Sequence, residues 1–221
     1  MQELLLAIRR NAVGLALFAV VTAGAIALTQ TLTADRIARN ILEAETRALN
    51  DILPADQYTN DLLADTLSLD ARFNQQLLGP VADDAVIYRA RQNGEVSAVI
   101  LPVVAPDGYT TNIDMIVGIR KDGTLAGVRV VAHRETPGLG DKIEKRKSDW
   151  IHTFDGRSLQ SPIADQWSVK KDGGAFDQFT GATITPRAVV RSVKHALMFF
   201  DTHRDLLLYG TAIPEENANG N

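Results

Sequence analysis

Hydrophobic and polar positions divide the chain into four stretches of different character. No charged residue occurs between Arg10 and Asp35, and Ala12 to Leu32 reads AVGLALFAVVTAGAIALTQTL. As a helix this run spans about 31 Å, enough to cross a bilayer core. Its polar members are mostly threonines, whose hydroxyls can bond back to the helix backbone. From Thr33 to Leu53 the pattern predicts an amphipathic helix. Ile37, Ile41, Ala44, Ala48 and Ile52 share one face, widened by Leu42, Leu49 and Leu53, with Arg36, Arg39, Glu43, Arg47 and Asn50 opposite. Glu45 interrupts the apolar arc, and Pro54 ends the helix. This stretch is expected to be a stalk. Residues 55–80 are polar and acidic, with short apolar clusters at Leu62-Leu63 and Leu77-Leu78, and predict no defined element.

From Ala85 the period changes to that of strands. Ala85–Ala90, Val96–Val104, Ile113–Ile119 and Leu125–Ala132 are rich in valine and isoleucine. Turn residues separate them at Asn93-Gly94, Pro106-Asp107-Gly108 and Lys121-Asp122-Gly123, which suits an antiparallel meander. Asp141 with Glu144 three residues on predicts a capping box for a helix through Trp150. A last helix is expected from Pro186 to about Phe200, with Pro186 at its first position. Val189, Val193, Ala196, Leu197 and Phe200 form its buried stripe. Helices beside an antiparallel sheet make the fold class α+β. The expected organisation is a tail over 1–11, a transmembrane helix over 12–32, a helical stalk and linker over 33–84, a folded domain over 85–205 and a tail over 206–221.

Arg9 and Arg10 precede the apolar run, so the positive-inside rule puts residues 1–11 in the cytoplasm and the remainder outside. A cleaved signal peptide has a similar start, and Ala23-Gly24-Ala25 would serve as its cleavage site. The apolar run continues past that site into the helical pattern without a turn, which favours a single-pass anchor.

Composition narrows the chemistry. The 221 residues are 45% hydrophobic and 23% charged, normal for a globular domain with an appendage. A net charge of −4 argues against nucleic acid. Cysteine is absent, which excludes thiolate-ligated iron–sulfur clusters, Cys zinc sites and disulfides. If electrons move here, a bound organic cofactor carries them. His133, His152, His195 and His203 show no metal-ligand spacing, and no Gly-x-Ser-x-Gly elbow occurs.

Two segments stand out. Glu135-Thr136-Pro137-Gly138-Leu139-Gly140 is a stiff backbone with two glycines, suited to close approach to a flat ring. Read alone, it is equally a turn between a strand and a helix. Gly-Leu-Gly-Asp-Lys lacks the ending and spacing of a phosphate-binding P-loop. The second segment is Asp177-Gln178-Phe179-Thr180-Gly181-Ala182-Thr183. Thr180, Gly181 and Ala182 are small, Gly181 permits unusual dihedrals, and the following helix start offers free N–H groups and partial positive charge near Thr183. Lys170 and Lys171 just before it suit an anionic ligand group, and surface lysines are the commoner explanation. The charged run Lys142, Glu144, Lys145, Arg146, Lys147 reads as a solvated helix face.

The pattern Asp-x-x-Thr-Gly-Ala-Thr resembles the acceptor motif for covalent flavinylation. Together with Arg9-Arg10 and the anchor, the run His133 to Gly140, and Ile184-Thr185-Pro186-Arg187-Ala188-Val189-Val190, it makes the chain similar over nearly its whole length to the G subunit of the Rnf (Rsx) electron transport complex. The resemblance implies an FMN-binding domain on the periplasmic side of a bacterial inner membrane. It implies FMN esterified through its phosphate to Thr183 and installed from FAD by a flavin transferase. Asp177, Thr180, Gly181 and Ala182 would shape the acceptor site, and Glu135, Thr136, Gly138, Leu139 and Lys170 would contact the cofactor. The implied partners are the other subunits of the complex, and the implied role is electron relay without an acid or base of its own. The C subunit of the sodium-pumping NADH:quinone reductase shares the anchor and motif and is one alternative. A colourless, membrane-tethered binding domain is another.

Overall fold

The structure, a computed structural model, describes residues 2–210. Residues 211–221 of the tail expected over 206–221, and most side chains of 1–11 and 35–45 that carry the expected cytoplasmic segment and stalk face, lie outside the described residues. The chain divides into two compact units between Thr46 and Arg47.

The first unit is helical. Helix α1 runs Gln2–Ile52, past the candidate cleavage site without interruption, and its residues from Arg47 onward belong to the second unit. Within it Ala12–Ala34 is long and apolar enough to cross a membrane, and its large apolar side chains are exposed. The threonines satisfy themselves: Thr22 donates to the Phe18 carbonyl at 2.8 Å and Thr29 to Ala25 at 2.7 Å. In hydrocarbon such back-bonding leaves no hydroxyl unpaired.

The second unit is built on one antiparallel sheet of β1 (Thr66–Ser68), β2 (Val86–Gln92), β3 (Glu95–Ala105), β4 (Ile113–Arg120) and β5 (Leu125–Ala132), in that spatial order. The four strands expected from the alternation are present, and Asn93 (φ 54°) and Gly94 (φ 84°) make the tight turn from β2 to β3. Period-two alternation sends side chains to two cores. Ile87, Val99, Leu101, Val103, Met115, Val117 and Val128 face α2 (Ile184–Thr202), whose buried stripe contains Val189, Val193, Ala196, Leu197 and Phe200. The opposite face carries Ala90, Ala98 and Ile100, against which Leu49, Ile52 and Leu53 from the end of α1 pack. Small residues make that seat: a Cβ on Gly118 would lie 2.2 Å from Ile52 Cγ2. Buried Arg129 closes it, donating to the Asp51 carbonyl at 2.6 Å at the C-terminal end of α1, where a cation suits the helix dipole.

Residues 55–80, without an element in the sequence pattern, strap the sheet edge. Asn60 pairs with the β2 backbone through the Arg89 carbonyl at 2.9 Å and the Arg91 amide at 2.7 Å. Asp65 receives the Arg89 guanidinium at 2.6 Å and also pairs with Arg91. Burial pushes the Asp65 carboxyl up, but the two arginines outweigh it and hold it below the ordinary value. Leu69, Phe73 and Leu78 then enter the main core.

Two expectations about helices need correction. No helix runs from Asp141 to Trp150. Two short 3-10 turns, Gly140–Ile143 and Asp149–Phe154, stand in its place. The capping box does not form because Glu144 is drawn to His133 at 2.9 Å, while Asp141 is buried with Lys147 at 3.4 Å. Ser148 caps the second turn, accepting from the Trp150 amide at 3.2 Å and donating to the Lys142 carbonyl at 2.6 Å. The final helix begins at Ile184, so Pro186 occupies its third position, still within the turn whose N–H groups lack intrahelical acceptors. A further helix α3 (Arg204–Tyr209) follows, with Leu206, Leu207 and Leu208 buried.

Candidate functional site

Aromatic packing holds the 176–183 segment in place. Phe176 stacks on Phe154 with centroids 4.8 Å apart, and Phe179 meets Trp150 edge-on at 5.1 Å. The Trp150 indole N–H donates to the Asp177 carbonyl at 2.7 Å, tying the start of the motif to the turn that precedes it. Phe179 to Ala182 then make a tight turn, closed by Ala182 N–H to Phe179 O at 3.1 Å, with Gly181 at φ 81° in its third position. That position of such a turn requires positive φ, which glycine adopts without strain. Thr183 follows as the residue preceding α2, half-buried, its carbonyl accepting from the Arg187 amide while its hydroxyl makes no capping bond.

Across from this turn lies the 135–140 loop, organised by Glu135. Its side chain is buried and accepts from the Thr110 amide at 3.0 Å, the Tyr109 amide at 3.3 Å and the Thr185 hydroxyl. Its own amide donates to His133 Nδ1 at 3.0 Å. His133 therefore carries its proton on Nε2 and donates to Glu144, holding that carboxyl below its usual range despite partial burial, with Arg146 adding to the effect. Gly140 passes close beneath: a Cβ there would lie 2.9 Å from Thr185 Oγ1 and 3.1 Å from Glu135 Oε2. Gly138 takes φ 76° and turns the loop.

Between the two loops is a cleft of about 590 Å³, lined by Tyr109, Glu135, Thr136, Leu139, Gly140, Lys171, Gly181, Ala182, Thr183, Ile184 and Thr185. Tyr109, Leu139 and Ile184 are exposed and give it an apolar rim. Among the described residues, Lys171 is the one lysine or arginine in the lining. The neighbouring cations are engaged elsewhere: Lys170 pairs with Asp177 at 2.6 Å and Arg187 with Asp172 at 2.6 Å, which holds the Asp172 carboxyl low.

Of the residues singled out in the sequence, the cleft gathers Glu135, Thr136, Leu139, Gly140, Lys171, Gly181, Ala182 and Thr183. Asp177, Thr180, Gly138 and Lys170 shape or flank it without lining it. Tyr109, Thr185 and Ile184 join from outside the singled-out set. Tyr109 carried no local signal, being an aromatic in a turn, whereas Thr185 stood in plain view as a helix-start residue without an assigned role.

Comparison with known proteins places these features in a family. Residues 1–52 match the RnfG N-terminal region and residues 108–198 match the FMN-binding domain, a span that contains every residue of the cleft lining. A Pseudomonas aeruginosa protein, named as the G subunit of the ion-translocating oxidoreductase complex, is 52% identical over 95% of this chain and 94% of its own length. The chain belongs to the RnfG family. Members from Vibrio vulnificus (44% identical, 91% of this chain and 93% of that one) and Aliivibrio fischeri (42%, 93% and 96%) carry the same name. Family membership agrees with the α+β domain and, among the described residues, the one helix long and apolar enough to cross a membrane.

The residues of the cleft suit an FMN. The volume falls within the range of about 300–1,000 Å³ usual for cofactor pockets. The rim is apolar, a lysine and a helix start supply positive potential, and Thr183 presents a hydroxyl with no cap bond to lose.

Proposed function

We propose that this chain is the FMN-carrying subunit of a membrane-bound, ion-translocating oxidoreductase complex of the Rnf type, relaying electrons between partner cofactors. FMN is held covalently by a phosphoester to Thr183. The observation that carries the reading is the placement of Thr183: a hydroxyl without a cap bond, at the start of α2, on the wall of a cleft of cofactor size. Lys171 and the N–H groups at the start of α2 lie where the phosphodiester charge needs compensation, and Leu139, Tyr109 and Ile184 supply an apolar surface for a flat ring. When bound, the flavin supplies the redox chemistry, and the protein holds it and sets its potential.

Attachment is a phosphoryl transfer on this chain's own hydroxyl. Thr183 Oγ forms the bond to phosphorus as the pyrophosphate bond of FAD breaks, AMP leaves, and the hydroxyl proton is lost. Asp177 to Ala182 present Thr183 to the transferase. Arg9-Arg10 ahead of the apolar helix support a topology with residues 1–11 in the cytoplasm and the flavin domain on the periplasmic face of the inner membrane. Expression of the full chain with and without an FAD-dependent flavin transferase, beside Thr183→Ala, tests the reading by intact mass. A transferase-dependent gain of one FMN less one water, absent from the variant, is expected. An unmodified mass in every sample would leave a tethered binding domain instead. Co-purified partners distinguish the Rnf-type complex from a quinone reductase.

A further inference from the structure

Among the described residues, Glu135 is the one acidic side chain in the cleft lining, yet its carboxylate is almost fully occupied by its own protein. It is 4% exposed, and three donors converge on it: the Tyr109 amide, the Thr110 amide and the Thr185 hydroxyl. A carboxylate offers roughly four acceptor sites, so little remains for a ligand. Glu135 thereby joins three segments: its own 135–140 loop, the 108–112 turn and the start of α2. Gly140 allows their convergence, since any Cβ there would press on both Glu135 and Thr185.

Thr183 has no such tie of its own. Its side chain makes no cap bond, so its direction follows from the first turn of α2, whose first side-chain anchor is Thr185. Thr185 is itself 1% exposed and held by Glu135. We propose that Glu135, acting through Thr185, is a positioning residue for the attachment step: it fixes the first turn of α2 and so the line along which Thr183 Oγ meets phosphorus. This inference rests on the flavinylation reading above and assigns to the Glu135–Thr185 pair a role before the flavin is in place.

The test follows FMN incorporation into the full chain in detergent by intact mass, with FAD and transferase supplied, and resolves kcat from KM for the acceptor chain. Thr185→Val removes the hydroxyl at nearly constant shape, Thr185→Ser keeps it, and Glu135→Gln removes the charge and one acceptor. A displacement of about 1 Å at a reacting atom costs up to roughly 100-fold. Thr185→Val and Glu135→Gln are therefore expected to lower kcat about tenfold or more, with KM changed less than about twofold because the Asp177–Ala182 surface keeps its Trp150 anchor. Thr185→Ser is expected to restore kcat. Folded Thr185→Val and Glu135→Gln chains with wild-type kcat overturn the inference, as does a loss confined to KM. If both variants lose the folded domain, the pair is structural and the positioning role falls. A wild-type chain that gains no FMN sinks the flavinylation reading, and this inference with it. A flavinylated wild type with unaltered variants sinks only the inference.

Discussion

The seat that the sheet makes for the end of α1 can be tested by exchanging volume across it. A methyl added at Gly118 would sit 2.2 Å from Ile52 Cγ2 and 3.3 Å from Ala126 Cβ, whereas carbon atoms in contact prefer about 3.5–4.0 Å. Something must yield by more than about 1 Å, and over-packing of this kind costs about 1–3 kcal/mol. Ile52 is 3% exposed, so Ile52→Ala leaves a cavity and costs about 2–5 kcal/mol. The same substitution removes the Cγ2 atom that the new methyl would strike. In the Ile52→Ala background, Gly118→Ala is thus expected to be neutral or slightly stabilising, a coupling of about 1–3 kcal/mol. Thermal unfolding of the full chain in detergent measures this, at about 2–4 °C per kcal/mol for a domain of this size. The single variants should fall by about 2–12 °C and about 4–20 °C, and the double should sit near Ile52→Ala alone. Losses that add to within about 0.5 kcal/mol would refute the contact, because additivity marks sites that do not touch.

Three further outcomes follow. Trp150→Phe removes the hydrogen bond to the Asp177 carbonyl and trims the ring packed on Phe179, for a loss of about 1–3 kcal/mol. An unchanged melting temperature would mean that the indole does not anchor the motif. His203 accepts from the Asn74 amide at 3.0 Å between Phe73 and Phe199, and burial pushes its pKa below the ordinary value. The unfolded chain then binds the extra proton first, so His203 contributes stability above about pH 6.5 that is lost as pH falls from there through its folded value. Melting temperature should therefore drop more between about pH 7 and 5 in the wild type than in His203→Gln, and parallel slopes would count against it. Asp65 has a lowered pKa, so its contribution is present above about pH 3.9 and lost as pH falls through the folded value; Asp65→Asn should flatten the acid limb of the stability curve, read by melts below about pH 5.

Much of this molecule is encoded locally. The apolar run from Ala12, the four longer strands, the Asn93-Gly94 turn and the amphipathic stripe of α2 each depend on periodicity or turn chemistry within about ten residues. Such signals survive without knowledge of what packs against them. The Asp177–Thr183 motif is equally local, since a tight turn with positive φ at Gly181 needs only its own residues. Partnerships across long separations are a different matter. The residue pair Asp141 and Glu144 had the spacing of a capping box, but His133, just past the end of β5, claimed Glu144, and a tertiary hydrogen bond overrode the local one. Segment 55–80 lacked a period because it is held by side chains, Asn60 and Asp65, that pair with a strand about 25 to 30 residues away. Lys170 and Lys171 were indistinguishable as neighbours until the fold turned one toward Asp177 and the other into the cleft. The joining of Glu135 to Thr185, 50 residues apart, was likewise decided only when the sheet and α2 packed together. Sequence alone determined the apolar helix, the four longer strands and α2, and it singled out Thr183 at the start of α2. Tertiary structure decided which side chains surround it, because burial and hydrogen-bond pairing are properties of the packed layers and not of any one segment.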